Sequence, residues 1–202
     1  MAKIKFTKTA LKKERDALKQ FRRFLPTLQL KKQQLQMEIM GSRKRLEENE
    51  AKEAQLKAQL DSWIELLGTP GAGDFLAGLI EIADVKTGVR NIAGVAVPIF
   101  DHLTYKPIPW DLFLTDPWID LALENLKEVL AIRLEHRIIE EQYRLLSLEL
   151  RTTTQRVNLF EKVKIPEARE NIRKIQIYMG DMDTAGVARS KIAKKKTQEV
   201  AA

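Results

Sequence analysis

Two histidines are the residues of this sequence whose side chains are best suited to catalysis or metal binding. His102 follows Asp101, and His136 lies between Glu135 and Arg137. Neither belongs to a metal-binding motif at helical spacing, and the chain has no glycine-rich phosphate loop. It also has no cysteine, so it has no thiolate site and no disulfide. These features predict a protein with no catalytic residue, no cofactor and no metal.

A cluster of glutamates, Glu47, Glu48 and Glu50, is the other candidate for chemistry. Acid–base catalysis by paired carboxylates needs a pocket, and a pair of helices offers none. The cluster therefore predicts a charged helical face, and the protein is predicted not to be an enzyme.

Charge is distributed unevenly along the 202 residues. Residues 1–32 have a net charge of +9, residues 61–120 of −6 and residues 189–202 of +4. Basic segments of this kind could bind nucleic acid in a salt-dependent way. The N-terminal basic segment has few aromatic side chains for stacking on bases. Nucleic-acid binding is therefore the weaker alternative.

The pattern of one long helix runs from Thr9 to Leu67, with a single proline and a single glycine inside it. One seven-residue row is apolar at seven of nine positions: Leu11, Leu18, Leu25, Lys32, Ile39, Leu46, Glu53, Leu60 and Leu67. Its companion row is apolar at five of eight: Glu14, Phe21, Leu28, Leu35, Ser42, Asn49, Leu56 and Trp63. Two such rows predict a coiled-coil seam, here with a polar middle around residues 42–53.

An insert follows this helix, because the turn residues of GTPGAGD (residues 68–74) end it. The apolar stretch Phe75–Ala83 predicts one or two helical turns. Residues 89–110 combine β-branched residues with glycines and prolines, which predicts an irregular hairpin or a loop with short strands.

A second long helix is predicted to start at Asp116, as an N-cap before Pro117, and to end or bend at Gly180-Asp181. The tail VARSKIAKKKTQEV (residues 187–200) could then regain helix. Pro166 is its one internal breaker. Its apolar stripe is Leu121, Leu126, Val129, Leu130, Leu134, Ile138, Leu145 and Leu148. The stripe thins at Thr152–Asn158 and resumes at Leu159, Phe160, Val163, Ile172, Ile175 and Met179.

These elements predict a mainly all-α fold: a long antiparallel two-helix coiled coil with a small irregular or β-hairpin-containing insert at one end. Helices of this polarity must pair to be stable. The predicted divisions are residues 1–67, 68–115 and 116–202. Antiparallel pairing places both basic termini at one end. That end carries Lys3, Lys5, Lys8, Lys12, Lys13, Lys191, Lys194, Lys195 and Lys196.

Two stretches, LPTLQLKKQQLQMEI (Leu25–Ile39) and RVNLFEKVKIPEARENIRKI (Arg156–Ile175), resemble the signature regions of the D subunit of V-type and A-type rotary ATPases. NIAGVAVP and DPWID in the insert, and ARSKIAKKK in the tail, resemble a divergent bacterial branch of that family. The resemblance extends over nearly the whole chain. The N-terminus departs from it, with Phe6-Thr7-Lys8 where many members have Pro-Thr-Lys or Pro-Thr-Arg.

The resemblance implies a non-catalytic rotor shaft that transmits torque between the membrane ring and the catalytic hexamer. ATP synthesis or hydrolysis would thereby be coupled to proton or sodium transport. The implied partners are the catalytic A and B subunits, the F subunit and a funnel-shaped subunit that leads to the membrane ring. The lysines given above would then lie inside the hexamer, and Thr152, Thr153, Gln155 and Arg156 are the predicted contact with the F subunit.

A free-standing coiled-coil adaptor is the main alternative, and it predicts a stable homodimer. No apolar run approaches the ~20 residues that span a bilayer, and the N-terminus has no apolar signal core. The expected location is cytoplasmic, peripheral to a membrane as part of the complex.

Overall fold

The computed structural model describes residues 5–60, 72–109, 116 and 118–200. The chain divides into two compact units. The terminal unit is Met1–Lys32 with Thr152–Ala202, and the middle unit is Gln33–Arg151. The elements are α1 (Lys8–Leu60), α2 (Ala72–Gly78), β1 (Glu81–Ile92), β2 (Val95–Lys106), α3 (Trp118–Asn158), a π turn (Leu159–Lys164) and α4 (Ile165–Val200).

The predicted N-terminal helix is confirmed as α1, which begins one residue earlier than expected. Thr7 caps it, because the Thr7 hydroxyl accepts a hydrogen bond from the Ala10 amide at 3.2 Å. The helix continues through Pro26. Its predicted last turns, residues 61–67, lie outside the described residues, as do the domain boundaries predicted at residues 67 and 115.

Antiparallel helix pairing in the terminal unit is shown by two aromatic contacts. The rings of Phe6 and Tyr178 have centroids 4.9 Å apart, and those of Phe21 and Phe160 are stacked at 5.4 Å. The partner residue number falls as the number along the N-terminal segment rises, so the two chain directions oppose each other.

The predicted polar middle of the seam is confirmed in the middle unit. Leu35, Ser42 and Asn49, spaced by seven residues, are the three buried residues of α1. Ser42 accepts a hydrogen bond from the Arg45 guanidinium at 3.2 Å, whereas the Asn49 side-chain nitrogen is buried and has no hydrogen-bond partner among the described residues. Such buried polar positions weaken a helix pair while they favour one register.

The insert forms an antiparallel hairpin of two twelve-residue strands, which confirms the predicted hairpin. The strands are joined at Ala93-Gly94, both with positive φ (50° and 84°), as a two-residue hairpin turn requires. The Asn91 side chain accepts a hydrogen bond from the Gly94 amide at 2.9 Å. The prediction of helix as far as Ala83 is wrong, because β1 already begins at Glu81.

The hairpin lies along α3, a placement that the sequence did not predict. Near the turn, Ile92 and Val97 share a core cluster with Leu35 and Leu146. The Gln142 amide also donates a hydrogen bond to the Pro98 carbonyl at 2.5 Å. At the other end of β2, the Tyr105 hydroxyl donates to the Lys127 carbonyl at 2.6 Å. Burial raises the pKa of this tyrosine.

A second core cluster of the middle unit joins α2 to the start of α3. Its buried members are Leu76, Ile119, Ala122 and Leu123. Trp118 packs against them, and its indole donates a hydrogen bond to the Asp116 carboxylate at 3.3 Å. The short α2 is therefore held by apolar burial rather than by its own length.

The second long helix differs from its prediction in three respects. The stripe residues Leu121, Leu148, Leu159 and Val163 are 44–63% exposed. A six-residue π turn separates α3 from α4 immediately before Pro166. Gly180 does not end the helix, since α4 continues to Val200. A single glycine costs only about 1 kcal/mol relative to alanine in a helix, too little to end it. None of the helices among the described residues has a stretch apolar enough to span a bilayer.

Candidate partner-binding surfaces

Each histidine lies next to a carboxylate, and His136 also lines an open pocket with Glu53, Arg133 and Glu140. The His102 ring nitrogen is 3.3 Å from the Asp101 carboxylate, and both side chains are largely exposed. The His136 ring is 3.7 Å from Glu140 on the same helix. Within the described ranges, no group of three or more potential metal-binding side chains lies close enough together to hold an ion. The lysines of the chain ends and the Thr152–Arg156 stretch are the other candidate sites.

The N-terminal lysines lie on the surface of the terminal unit. Lys8, Lys12 and Lys13 project from the first turns of α1, and Lys5 precedes the helix; all four are exposed. Lys3 lies outside the described residues. These ammonium groups add positive charge to the surface close to the Phe6–Tyr178 contact.

The C-terminal lysines lie on α4 in the same unit, and Lys191, Lys194, Lys195 and Lys196 are all exposed. Phe6 contacts Tyr178, and Lys191 comes thirteen residues later. At a rise of 1.5 Å per residue this is roughly 20 Å further along the helix. The two lysine groups therefore belong to one unit but are staggered along it.

The same part of α4 exposes several large apolar side chains. Met182, Val187 and Ile192 are 46–58% exposed, and this row of apolar side chains leads into the lysines at residues 191–196. A surface that combines apolar and cationic groups is suited to a protein partner with acidic and apolar contacts. Composition and charge counts alone did not indicate this apolar component.

The threonine-rich stretch divides between core and surface. Thr153 is only 1% exposed and packs inside the terminal unit, whereas Gln155 and Arg156 are exposed. Thr152 is half-buried. Of the four residues predicted to contact the F subunit, Thr153 thus contributes to packing, Thr152 is partly accessible, and the glutamine and arginine are presented to solvent.

Two apolar residues that were predicted to be buried extend this exposed face. Leu159 follows Gln155 by four residues, which places both on one side of the helix. Leu159 and Val163 are 44% and 49% exposed. We refer to Gln155, Arg156, Leu159 and Val163 as the Gln155–Val163 surface. The sequence-based prediction placed its apolar half in the buried stripe, on the side of the helix that also carries the exposed Leu148.

An ion-pair cluster connects the two helices of the middle unit. The Glu53 carboxylate accepts hydrogen bonds from Lys57 at 2.8 Å and from Arg133 at 2.9 Å, and its side chain is only 20% exposed. The hydrogen bond from Lys57, and then that from Arg133, lower the pKa of Glu53. The Arg133 contact connects α1 to α3.

Replacement of Glu53 by glutamine is expected to lower the melting temperature at pH 7 by about 1–3 °C. A carboxylate with a lowered pKa stabilises the fold above its unfolded value of about 4.5, and this contribution disappears as the pH falls through the folded value. The difference between the variant and the unmodified chain should therefore shrink below pH 4.5. Thermal unfolding from pH 3 to pH 7 measures it. Glu47→Gln is the control, because Glu47 is 65% exposed and its ion pair is with Arg43 on its own helix.

Comparison with known proteins identifies the family. The model of the family described as the ATP synthase D subunit matches residues 10–195. The chain belongs to this family. The V-type ATP synthase D subunit of Borreliella burgdorferi is 48% identical over 194 residues, which cover 96% of this chain and 95% of the relative.

Relatives from chlamydiae are also similar over nearly their full length. The V-type ATP synthase D subunit of Chlamydia muridarum is 34% identical over 198 residues, 98% of both chains. That of Chlamydia pneumoniae is 33% identical over 195 residues, 96% of this chain and 93% of the relative. The predicted resemblance to the D subunit, in its bacterial branch, is thereby confirmed. The chain is a component of a V-type ATP synthase complex.

Proposed function

We propose that this chain is the central rotor component of a V-type ATP synthase, without catalytic residues of its own. It transmits torque between the membrane ring and the catalytic hexamer, and it couples ATP synthesis or hydrolysis to proton or sodium transport. Its family membership carries the proposal. The antiparallel helix pairing within the units supports it, because paired helices resist twisting better than a single helix does.

The outward faces of the helices also fit a part that turns inside a ring. They carry exposed ion pairs such as Arg43–Glu47 and Arg173–Glu170, beside exposed apolar side chains such as Leu148. Exposed ion pairs contribute little binding energy. With a surface of this kind, the chain loses little binding free energy when it leaves any one rotational position in the ring.

The proposed contacts with the A and B subunits of the hexamer are made by the lysines at the two chain ends. The Gln155–Val163 surface is the proposed contact with the F subunit. A funnel-shaped subunit would connect the chain to the membrane ring, which makes its location cytoplasmic and peripheral to the membrane. Neither nucleic acid nor direct insertion into the bilayer is part of the proposal.

Affinity purification of the tagged full-length chain from its own cells tests the proposal. We expect the A, B and F subunits to be recovered with it in stoichiometric amounts. A Gln155→Ala and Arg156→Ala double variant should lose the F subunit and retain A and B. Recovery of the chain as a homodimer without A and B would support the coiled-coil adaptor instead. Retention of the F subunit by the double variant would exclude those two residues as its contact.

A further inference from the structure

The π turn between α3 and α4 is the one departure from α-helical geometry within residues 118–200. It comprises Leu159–Lys164, and the Ile165 amide donates its hydrogen bond to the carbonyl of Phe160, five residues earlier. Pro166 follows directly, and it has no amide hydrogen with which to continue the helical hydrogen-bond series. A π turn takes up one residue more than an α-helical turn.

The buried residues on either side of the π turn differ in phase by one residue. Thr153 and Val157 are buried before it, and Ile165, Ala168 and Ile175 after it. A heptad seam returns to the same face after seven or fourteen residues. Here Val157 to Ile165 is eight residues, and Thr153 to Ala168 is fifteen. Because each residue turns an α-helix by about 100°, an uninterrupted helix would rotate the later residues away from the seam.

We propose that the π turn is a one-residue phase insertion that sets the rotation of α4 against the N-terminal helix of the terminal unit. Its extra residue restores the heptad phase, so that Ile165, Ala168 and Ile175 face the core. The positions one residue earlier are Lys164, Glu167 and Lys174. Without the insertion these charged side chains would enter the seam, where an unpaired charge is strongly unfavourable.

The insertion has a consequence for the surface as well as for the core. Leu159 and Val163 lie within the π turn and are exposed, and the insertion fixes the direction in which the lysines after residue 190 project from α4. The phase inference rests on burial and spacing alone, so it is independent of the proposed rotor function.

Deletion of one residue at two matched positions tests the phase insertion. Glu161 lies in the π turn and Arg169 in α4; both are charged and exposed. Deletion of Glu161 removes the extra residue, so a continuous α-helix should keep Ile175 buried. The melting temperature should then change by less than about 3 °C. Deletion of Arg169 leaves the insertion in place and brings Gln176 to the position of Ile175. The melting temperature should fall by more than about 5 °C.

A disulfide probe reports the phase directly, because the chain has no cysteine of its own. Phe6→Cys and Tyr178→Cys replace two side chains that are in contact. The pair should cross-link as readily in the Glu161 deletion as in the full chain. In the Arg169 deletion it should cross-link at least about tenfold more slowly, because a rotation of α4 by about 100° moves residue 178 away from residue 6. Any other combination, whether both deletions keep the cross-link, both lose it or the order is reversed, overturns the proposal.

Discussion

Leu35→Ala is expected to destabilise the middle unit by about 3–5 kcal/mol, the largest loss of stability that we expect from a single substitution. Leu35 is 0% exposed, and its cluster includes Ile92 and Val97 of the hairpin and Leu146 of α3. One side chain therefore connects three elements. Truncation leaves a cavity that relaxation of a single element cannot fill, because the other two are held in place by their own contacts.

Chemical denaturation of the full chain measures this loss, and hydrogen exchange locates it. Amide exchange should accelerate first in the hairpin around Ile92 and Val95, because both side chains pack in the cluster that Leu35 fills. Met37→Ala is the matched control, since Met37 is 65% exposed two residues away. It should cost less than about 0.5 kcal/mol. Equal costs for the two variants would show that the cluster does not anchor the hairpin.

The helices and the hairpin could be predicted because their signals are local. The buried row Leu35, Ser42 and Asn49 follows directly from a seven-residue period, and the polar residues of that row could be read from the sequence. The hairpin turn carries its own signal in Ala93-Gly94 between two β-branched stretches. The placement of the hairpin could not be predicted, because it depends on a long-range contact of Val97 with the helix core.

The apolar stripe predicted for the long C-terminal helix was wrong in two respects. Leu159 lies on the same side of the helix as Leu148, which is itself 63% exposed before the π turn. The π turn also adds a residue that a regular α-helical period does not include. The signal was nevertheless present, since the spacing of eight between Val157 and Ile165 does not fit a heptad seam. It becomes readable only once burial shows which apolar residues form the core.

For the partner surfaces, the sequence predicted which segments are charged, but not where their side chains lie relative to one another. The lysines of both chain ends are exposed as predicted, whereas their stagger along α4 depends on the Phe6–Tyr178 contact. Thr153 illustrates the opposite case, in which a polar residue chosen for a partner contact packs in the core. A polar side chain in a helix pair can either pack in the core or face solvent, and its position relative to the seam decides which.

Deletion of residues 191–202 is expected to reduce ATP-driven rotation of the assembled complex by about tenfold or more, while the chain itself still folds. The segment contributes four lysines and one glutamate, a net charge of +3, and every described side chain in it is exposed. Its removal takes nothing from the core, so the melting temperature should change by less than about 2 °C. Single-molecule rotation and ATP-driven ion pumping measure the functional loss.

The charge and the length of this segment can be separated. Replacement of Lys191, Lys194, Lys195 and Lys196 by glutamine keeps the helix and removes the charge. If long-range attraction holds the segment in the hexamer, this variant should lose rotation nearly as much as the deletion does. Rotation of the complex that contains the unmodified chain should also decrease at 1 M salt. The screening length there is about 3 Å, compared with about 10 Å at 0.1 M, so the attraction between the lysines and the hexamer is weaker. Full rotation with the truncated chain would mean that the lysines of α4 do not act in the hexamer. Full rotation with the glutamine variant, but not with the truncated chain, would assign the contact to the apolar side chains of the segment, such as Ile192.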